Sequence, residues 1–281
     1  MNTYNKISIE DYHNDNTIPT RSALLQALKS PAHLNMYING SKKPSESMKL
    51  GSFIHEFIEN GIEIPNNWQT RQELYQRTTN GRPAGSPKLD EDGNALFSYV
   101  NYNDETASLT PAKSVIAVSM MKAIENDMFI VSAMDLDDIV VEPTFVGEIE
   151  GMKVKTRPDL AFTNNNTIIE IKTTSSLDPD DIAREFFDFG YDIQAFLELE
   201  LSGADLVYFY FISSETPSGT ARFAVSRDSV WYKLGKQRTI EALKLFYKHK
   251  DSTQQSYNRA EITVPISYKA AKYMAENGIE E

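Results

Sequence analysis

Between Asp138 and Thr174 the hydrophobic period of this chain changes from helical to alternating, and that change narrows the folds open to it. The segment divides into three strands, roughly 138–149, 151–162 and 167–174, joined by Glu-Gly at 150–151 and by an asparagine-rich turn at 164–166. Such a run predicts a β-meander. Ahead of it, "TRSALLQALKS" (20–30) places Leu24, Leu25 and Leu28 at helical spacing, with Thr20 or Ser22 as cap and a stop before Pro31. "ESMKLGSFIHEFIEN" (46–60) puts Leu50, Ile54, Phe57 and Ile58 on one stripe, and "PAKSVIAVSMMKAIEND" (111–127) is a third amphipathic helix. The Gly- and Pro-rich stretch 79–93 reads as an exposed, mobile loop.

After the meander, Asp178 caps a helix over 178–189, Gly190 breaks it, and helix resumes over 191–201 until Gly203. "DLVYFYFI" (205–212) is the almost wholly apolar run of a buried strand, and 229–250 is a long final helix with a basic outer face. Together these elements predict an α/β (α+β) fold in which helices flank a central mixed β-sheet. The 281 residues suit one domain, with an N-terminal helical part over about 1–130 and a sheet core over about 138–215. There is no internal repeat.

No stretch approaches the roughly 18 apolar residues of a membrane helix, and "MNTYNKISIEDYHNDN" lacks the basic-then-apolar layout of a signal peptide. A cytoplasmic location is therefore expected. The absence of cysteine excludes disulfides, thiolate zinc sites, iron–sulfur clusters and a cysteine nucleophile, so any metal must sit on oxygen or imidazole. A formal charge of −12 argues against coating nucleic acid through bulk electrostatics. It leaves room for a local basic groove. The candidate is 71–88, where Arg71, Arg77, Arg82 and Lys88 face only Glu73, although a solvated loop would carry the same charges.

The strand "TIIEIKTT" (167–174) carries Glu170 and Lys172 on one face and Ile169 and Ile171 on the other. With the turn centred between Asn164 and Asn165, Asp159 stands directly opposite Glu170, with Cβ atoms about 4.5–5.5 Å apart. Two carboxylates so close repel unless a cation sits between them, and their oxygens are what Mg²⁺ or Mn²⁺ prefers. A Glu-x-Lys pair alone is ordinarily a solvated surface pair. "RPD", ten residues, then "EIK" across a hairpin is a more demanding combination, and it reads as a metal site with an adjacent ammonium.

Pro158, Asp159, Glu170 and Lys172 resemble the signature of the PD-(D/E)XK nuclease superfamily, whose core is restriction-endonuclease-like. The blocks "SPAHL" (30–34), "MKLGSFIHEFIE" (48–59), "KTRPDLAF" (155–162), "IIEIKTT" (168–174) and "GYDIQAF" (190–196) follow the order seen in RecE-type, exodeoxyribonuclease VIII-like phage and prophage exonucleases. The resemblance implies that Asp159 and Glu170 ligate metal together with the backbone carbonyl of Ile171. Lys172 would orient or deprotonate the attacking water, or steady charge on the phosphate. It further implies that His55 reaches a metal from its helix and that Gln194 lies near the nucleotide. Where some relatives continue Gln-x-x-x-Tyr this chain has Glu198, which leaves Tyr191 as the substitute. Gly51, one turn before His55, is expected to clear space for the imidazole, because helical side chains lean toward the N-terminal turn. Glu142 is a candidate to support the ligands from behind. Arg157, like Arg77 and Arg82, is a candidate phosphate contact, with a structural ion pair as its other reading.

Phosphodiester hydrolysis requires an acidified water, charge neutralisation at phosphorus and a stabilised leaving oxygen, which two divalent ions about 3.5–4 Å apart supply. Mg²⁺ is the expected ion, with Mn²⁺ able to substitute. The expectation is a metal-dependent DNA exonuclease acting on linear duplex ends. By resemblance it would act 5′ to 3′, in a bacterial host cell or encoded by a phage, and leave 3′ tails for a recombination partner that anneals single strands. The resemblance also implies a homo-oligomeric ring, a tetramer. The alternatives are a structure-specific or single-strand nuclease of the same superfamily and a non-catalytic DNA-end-binding protein.

Overall fold

Two prolines decide how the meander is built. In the computed structural model, which describes residues 1–2, 7–40, 43–75 and 83–253, the expected first and second strands are each interrupted. The elements before them are α1 (Ile9–Asn14), α2 (Arg21–Lys29), α3 (Pro31–Asn39), α4 (Glu46–Glu59), β1 (Trp68–Gln72), β2 (Phe97–Asn101), α5 (Pro111–Glu125) and α6 (Met128–Met134). The interrupted hairpin comprises β3 (Ile139–Val141), β4 (Phe145–Ile149), β5 (Met152–Thr156) and β6 (Leu160–Phe162). Then come β7 (Thr167–Thr174), α7 (Pro179–Asp188), α8 (Tyr191–Ser202), β8 (Leu206–Ser213), β9 (Thr220–Ser226) and α9 (Val230–His249).

β4 pairs with β5 and β3 with β6 at one unchanged offset, from Ile149 opposite Met152 out to Ile139 opposite Phe162. Between them the ladder opens, because Pro143 and Pro158 have no N–H to give and Glu142 adopts a left-handed φ of 47°. The expected continuous strands are thus corrected to a hairpin with a gap in its middle. β4 and β5 leave as a separate ribbon, while β3 and β6 join the central sheet, whose order is β3-β6-β7-β8-β9. β7 and β8 run parallel, joined through α7 and α8, and the other neighbours in that sheet are antiparallel. This is the mixed sheet between helices that the sequence predicts.

Both faces of the sheet are covered, which explains the unbroken apolar run of β8. Ile169, Ile171, Tyr210 and Ile212 pack with Phe53 and Ile54 of α4 and Met120 of α5. Ile168, Val207, Phe209 and Phe211 pack on the other face against Phe186 of α7 and Ala195 and Leu199 of α8. Ile193, Phe196 and Leu197 then turn the back of α8 toward Leu24 of α2 and Leu243 and Phe246 of α9. α8 is therefore buried on all sides, and its polar residues Asp192, Gln194 and Glu198 need internal partners. Asp192 has the Arg238 guanidinium at 2.7 Å.

Three features depart from the sequence reading. Ser30, expected only to stop a helix, ends α2 and also caps α3, its hydroxyl accepting from the His33 N–H, with Pro31 in the first turn. The part expected to be helical also holds the β1–β2 ribbon, with Trp68 opposite Asn101, and Arg71 lies in β1 rather than in a loop. β9 completes the sheet from a segment whose outward residues, Arg222 and Phe223 among them, do not alternate cleanly with apolar ones. No helix among the described residues is long and apolar enough to cross a membrane.

Candidate metal centre

α4 buries one stripe and presents another. Leu50, Phe53, Ile54, Phe57 and Ile58 face the core, which turns Met48, Ser52, His55 and Glu59, at spacings of three and four, toward a cavity of about 960 Å³. Gly51 lies at the closest approach of α4 to β7: a Cβ there would stand 3.3 Å from Thr173 Oγ1. Gly51 also lines the cavity together with His55.

The gap in the hairpin supplies the next group. The β6–β7 ladder ends with Leu160 opposite Ile169, and its offset extended by one residue sets Asp159 against Glu170, where the two meet through side chains rather than through the ladder. The Asp159 N–H donates to Glu170 Oε1 at 3.2 Å, and the Ile171 N–H donates to Asp159 Oδ2 at 2.6 Å. Lys172 Nζ reaches Glu170 Oε2 at 2.5 Å and Asp159 Oδ2 at 3.8 Å. His55 Nδ1 lies 3.4 Å from Asp159 Oδ1. From α8, the Gln194 side-chain amide also donates to Glu170 Oε2, and Tyr191 sets its ring 5.5 Å from Lys172 Nζ.

These contacts sort the acids. Burial alone would raise Asp159, but His55, Lys172 and the Ile171 N–H hold its carboxyl well below the usual carboxylate range. Glu170 is pushed up, by burial and by the charge of Asp159, against the pull of Lys172. Glu59 is pushed up to about 7 by burial and by the same Asp159 charge. Burial pulls His55 down, but Asp159 raises it on balance; burial likewise opposes Lys172, whose ammonium Glu170 and Asp159 hold above its usual range. Glu198, fully buried one helical turn beyond Gln194, is raised by burial and by Glu170.

A divalent cation suits this donor set. One ligand atom each of His55, Glu59 and Asp159 lies within 4.8 Å of the others, combining two carboxylates with one imidazole. Glu170 sits beside this trio with both oxygens engaged by protein donors.

The structure brings Asp159, Glu170, Ile171, Lys172, His55, Gln194 and Tyr191 to one cavity. Arg157 also lines it, but its two terminal nitrogens are engaged by Glu142 Oε2 at 3.0 Å, the Ile7 carbonyl at 2.9 Å and Thr144 Oγ1 at 3.2 Å. The ion-pair reading of Arg157 and Glu142 is the one the contacts match. Arg77 and Arg82 lie outside the described residues, and Lys88 stands 4.0 Å from Glu73. The sequence reading missed Glu59, although His-x-x-x-Glu on a helix whose stripe faces inward signals a second ligand one turn on. It also missed Tyr12 and His13, which wall the cavity from α1 and carry no motif.

A protein of Eubacterium rectale, provisionally designated an exonuclease, has a similar fold, with a TM-score of 0.57 at 14% identity over 97% of this chain and 98% of its own. A phage-related exonuclease of Haemophilus somnus 129PT overlaps 45% of this chain and 66% of its own at 16% identity, and its TM-score of 0.33 is too low to carry an argument. No curated protein matches. A family profile matches residues 20–258, a span that contains His55, Asp159, Glu170, Lys172 and Gln194. On that match the chain belongs to the family described as the PDDEXK-like domain of unknown function (DUF3799).

Proposed function

We propose that this chain is a divalent-metal-dependent deoxyribonuclease that degrades linear duplex DNA from its 5′ ends and leaves 3′ single-stranded tails. The observation that carries the reading is the ammonium of Lys172, within 4 Å of both Asp159 and Glu170 on the wall of an open cavity. A solvated surface pair would leave both groups in water, whereas the Lys172 and Glu170 side chains are 11% and 1% exposed, on a cavity wall shared with His55 and Glu59. Mg²⁺ is the proposed ion, two per site, with Asp159, Glu59 and His55 to hold metal and Glu170 alongside. When bound it would acidify water and offset charge at the phosphate.

The chain's own residues do the rest. The Ile171 N–H and His55 fix the two oxygens of Asp159, so the carboxylate is already oriented and need not reorganise. Gln194 and Lys172 hold Glu170 in the same way, from α8 and from its own strand. Lys172, as a proton-bearing cation beside these carboxylates, orients the attacking water or steadies the developing negative charge on the phosphate. The RecE-like order of sequence blocks supports the exonuclease reading, the 5′ polarity, a homo-oligomeric ring of four copies, a single-strand annealing partner and a place in recombination in a bacterial or phage-infected cytoplasm. The name given to the Eubacterium rectale protein agrees with it.

Linear duplex labelled at either end, and covalently closed circles, incubated with Mg²⁺ test this reading. Loss of linear DNA with 5′ label released first, and intact circles, is the expected result. Release of 3′ label first overturns the polarity, nicked circles make the enzyme an endonuclease, and retention without loss makes it an end-binding protein.

A further inference from the structure

The cavity that holds Asp159, Glu170 and Lys172 has an aromatic rim. Phe189 ends α7, and Gly190, at a left-handed φ of 68°, turns the chain into α8. The Phe189 ring is 48% exposed and lines the cavity, whereas its aromatic neighbours Phe186 and Tyr191 are buried. Its centroid stands 5.9 Å from that of Tyr191 at an angle of 61°, and the Tyr191 ring in turn lies 5.5 Å from Lys172 Nζ. Arg21 Nη1 donates to the Phe189 carbonyl at 2.6 Å and brings its guanidinium to 5.7 Å from the Tyr191 ring. A row therefore runs from the lysine in the site through Tyr191 to Phe189, with a second cation along its flank.

Two other exposed rings lie nearby. Phe187 is exposed to the same 48%, with the Arg238 guanidinium 4.0 Å from its ring centroid, but it does not line the cavity. Phe223 packs on Phe186 at 5.2 Å. Of these three rings Phe189 alone lines the cavity that holds Lys172 and the acids, so its exposed face is offered to whatever enters the cleft. A flat apolar face one ring removed from two cations matches one chemistry in particular: a nucleobase attached to a phosphate. Stacking of this kind is tolerant of sequence, because every base has a π-face.

Resting on the nuclease reading above, we propose that Phe189 is a stacking platform for one unpaired nucleobase of the strand whose phosphate faces Asp159, Glu170 and Lys172. Bases inside a duplex cover one another, so the platform accepts a base that is terminal, frayed or single-stranded. That requirement would make the site select strand ends from within.

The test uses single-stranded oligonucleotides carrying 2-aminopurine at successive positions from the 5′ end, titrated with Lys172→Ala protein in Mg²⁺. The expected result is quenched emission at one position. Adding Phe189→Ala should restore that emission and weaken affinity about tenfold, the scale of one lost base stack, while Phe189→Trp stays within about twofold. Phe187→Ala should change neither, which separates stacking from a general loss of apolar surface. In the chain with Lys172 intact, Phe189→Ala should raise KM and leave kcat near its starting value. Identical emission and affinity with and without the Phe189 ring overturn the platform. If the unaltered chain cleaves linear duplex and Phe189→Ala cleaves it with the same KM, the platform alone fails. If the unaltered chain neither binds nor cleaves DNA, the nuclease reading fails and the platform with it.

Discussion

Asp159 and Glu170 hold each other through the backbone. The Asp159 N–H donates to Glu170 Oε1 at 3.2 Å, and the N–H of Ile171, next to Glu170, donates to Asp159 Oδ2 at 2.6 Å. The reciprocal pair exists because Pro158 opens the ladder one residue earlier and leaves these groups to the side chains. Asp159→Asn should destabilise the metal-free protein by about 1–3 kcal/mol, since an amide is a weaker acceptor and Lys172 and His55 lose their anion. Asp159 has a depressed pKa, so its contribution is present above the unfolded value, near pH 3.9, and is lost as pH falls below it. Urea melts of both proteins at pH 7 and pH 3 measure this, and an equal gap at the two pH values would contradict it.

Glu59 should behave in the opposite sense. Its folded pKa, raised to about 7, lies above the unfolded value near 4.3, so its ionisation penalises the fold fully above pH 7 and the penalty fades as pH falls toward 4.3. Glu59→Gln should therefore stabilise the metal-free chain at pH 8 by roughly 1–2 kcal/mol after allowance for screening at the cavity, and do little at pH 4.5. Mg²⁺ should raise the melting temperature of the unaltered chain more than that of the variant. An equal Mg²⁺ shift would remove Glu59 from the metal set.

Lys172→Ala should lose turnover by about 10²–10³-fold while still binding DNA, because the role assigned to it lies in the reaction step. Without the ammonium the adjoining carboxylates repel more strongly, so the same variant should unfold more easily without Mg²⁺ and gain more from it. Wild-type turnover in single-turnover assays would take the lysine out of the chemistry.

The N-terminal segment should be needed for stability. Lys155 is 2% exposed, and its Nζ donates to the carbonyls of Tyr12 at 2.7 Å and Asp15 at 2.6 Å. Removing residues 1–15 would strand this ammonium without its acceptors and should cost about 2–3 kcal/mol or more. Lys155→Met in the same truncated chain should recover part of the loss, since it removes the unpaired charge. A truncation that melts like the full chain would show that α1 contributes nothing to Lys155.

The parts of this fold that were legible in the sequence are those where local rules and tertiary packing agree. α4, α5 and α7 carry their own side-chain caps, α8 is bounded by Gly190 and Gly203, β7 is rich in β-branched residues, and the offset of the 164–166 turn, extended one residue past Leu160, sets Asp159 against Glu170. The gap at Pro143 and Pro158 was missed because alternation continues in register across it, so period alone shows one long strand. β1 and β9 were hidden for a different reason: Trp68–Gln72 and Thr220–Ser226 are largely exposed segments without a buried alternating face. In the site, Asp159, Glu170 and Lys172 announce themselves by spacing within one hairpin. Glu59, Tyr12 and His13 do not, since what makes them part of the cavity is how α4 and α1 come together with β7, a long-range event.

The most direct measurement is hydrolysis of end-labelled linear duplex by Asp159→Asn protein in Mg²⁺, beside the unaltered chain and beside the unaltered chain in EDTA. The account predicts turnover by the unaltered chain in Mg²⁺, none in EDTA, and a loss of at least about a thousandfold in the variant with its fold intact by circular dichroism. Turnover by Asp159→Asn within about tenfold of the unaltered chain would contradict it, because no other group in the cavity is fixed by His55, Lys172 and the Ile171 N–H together.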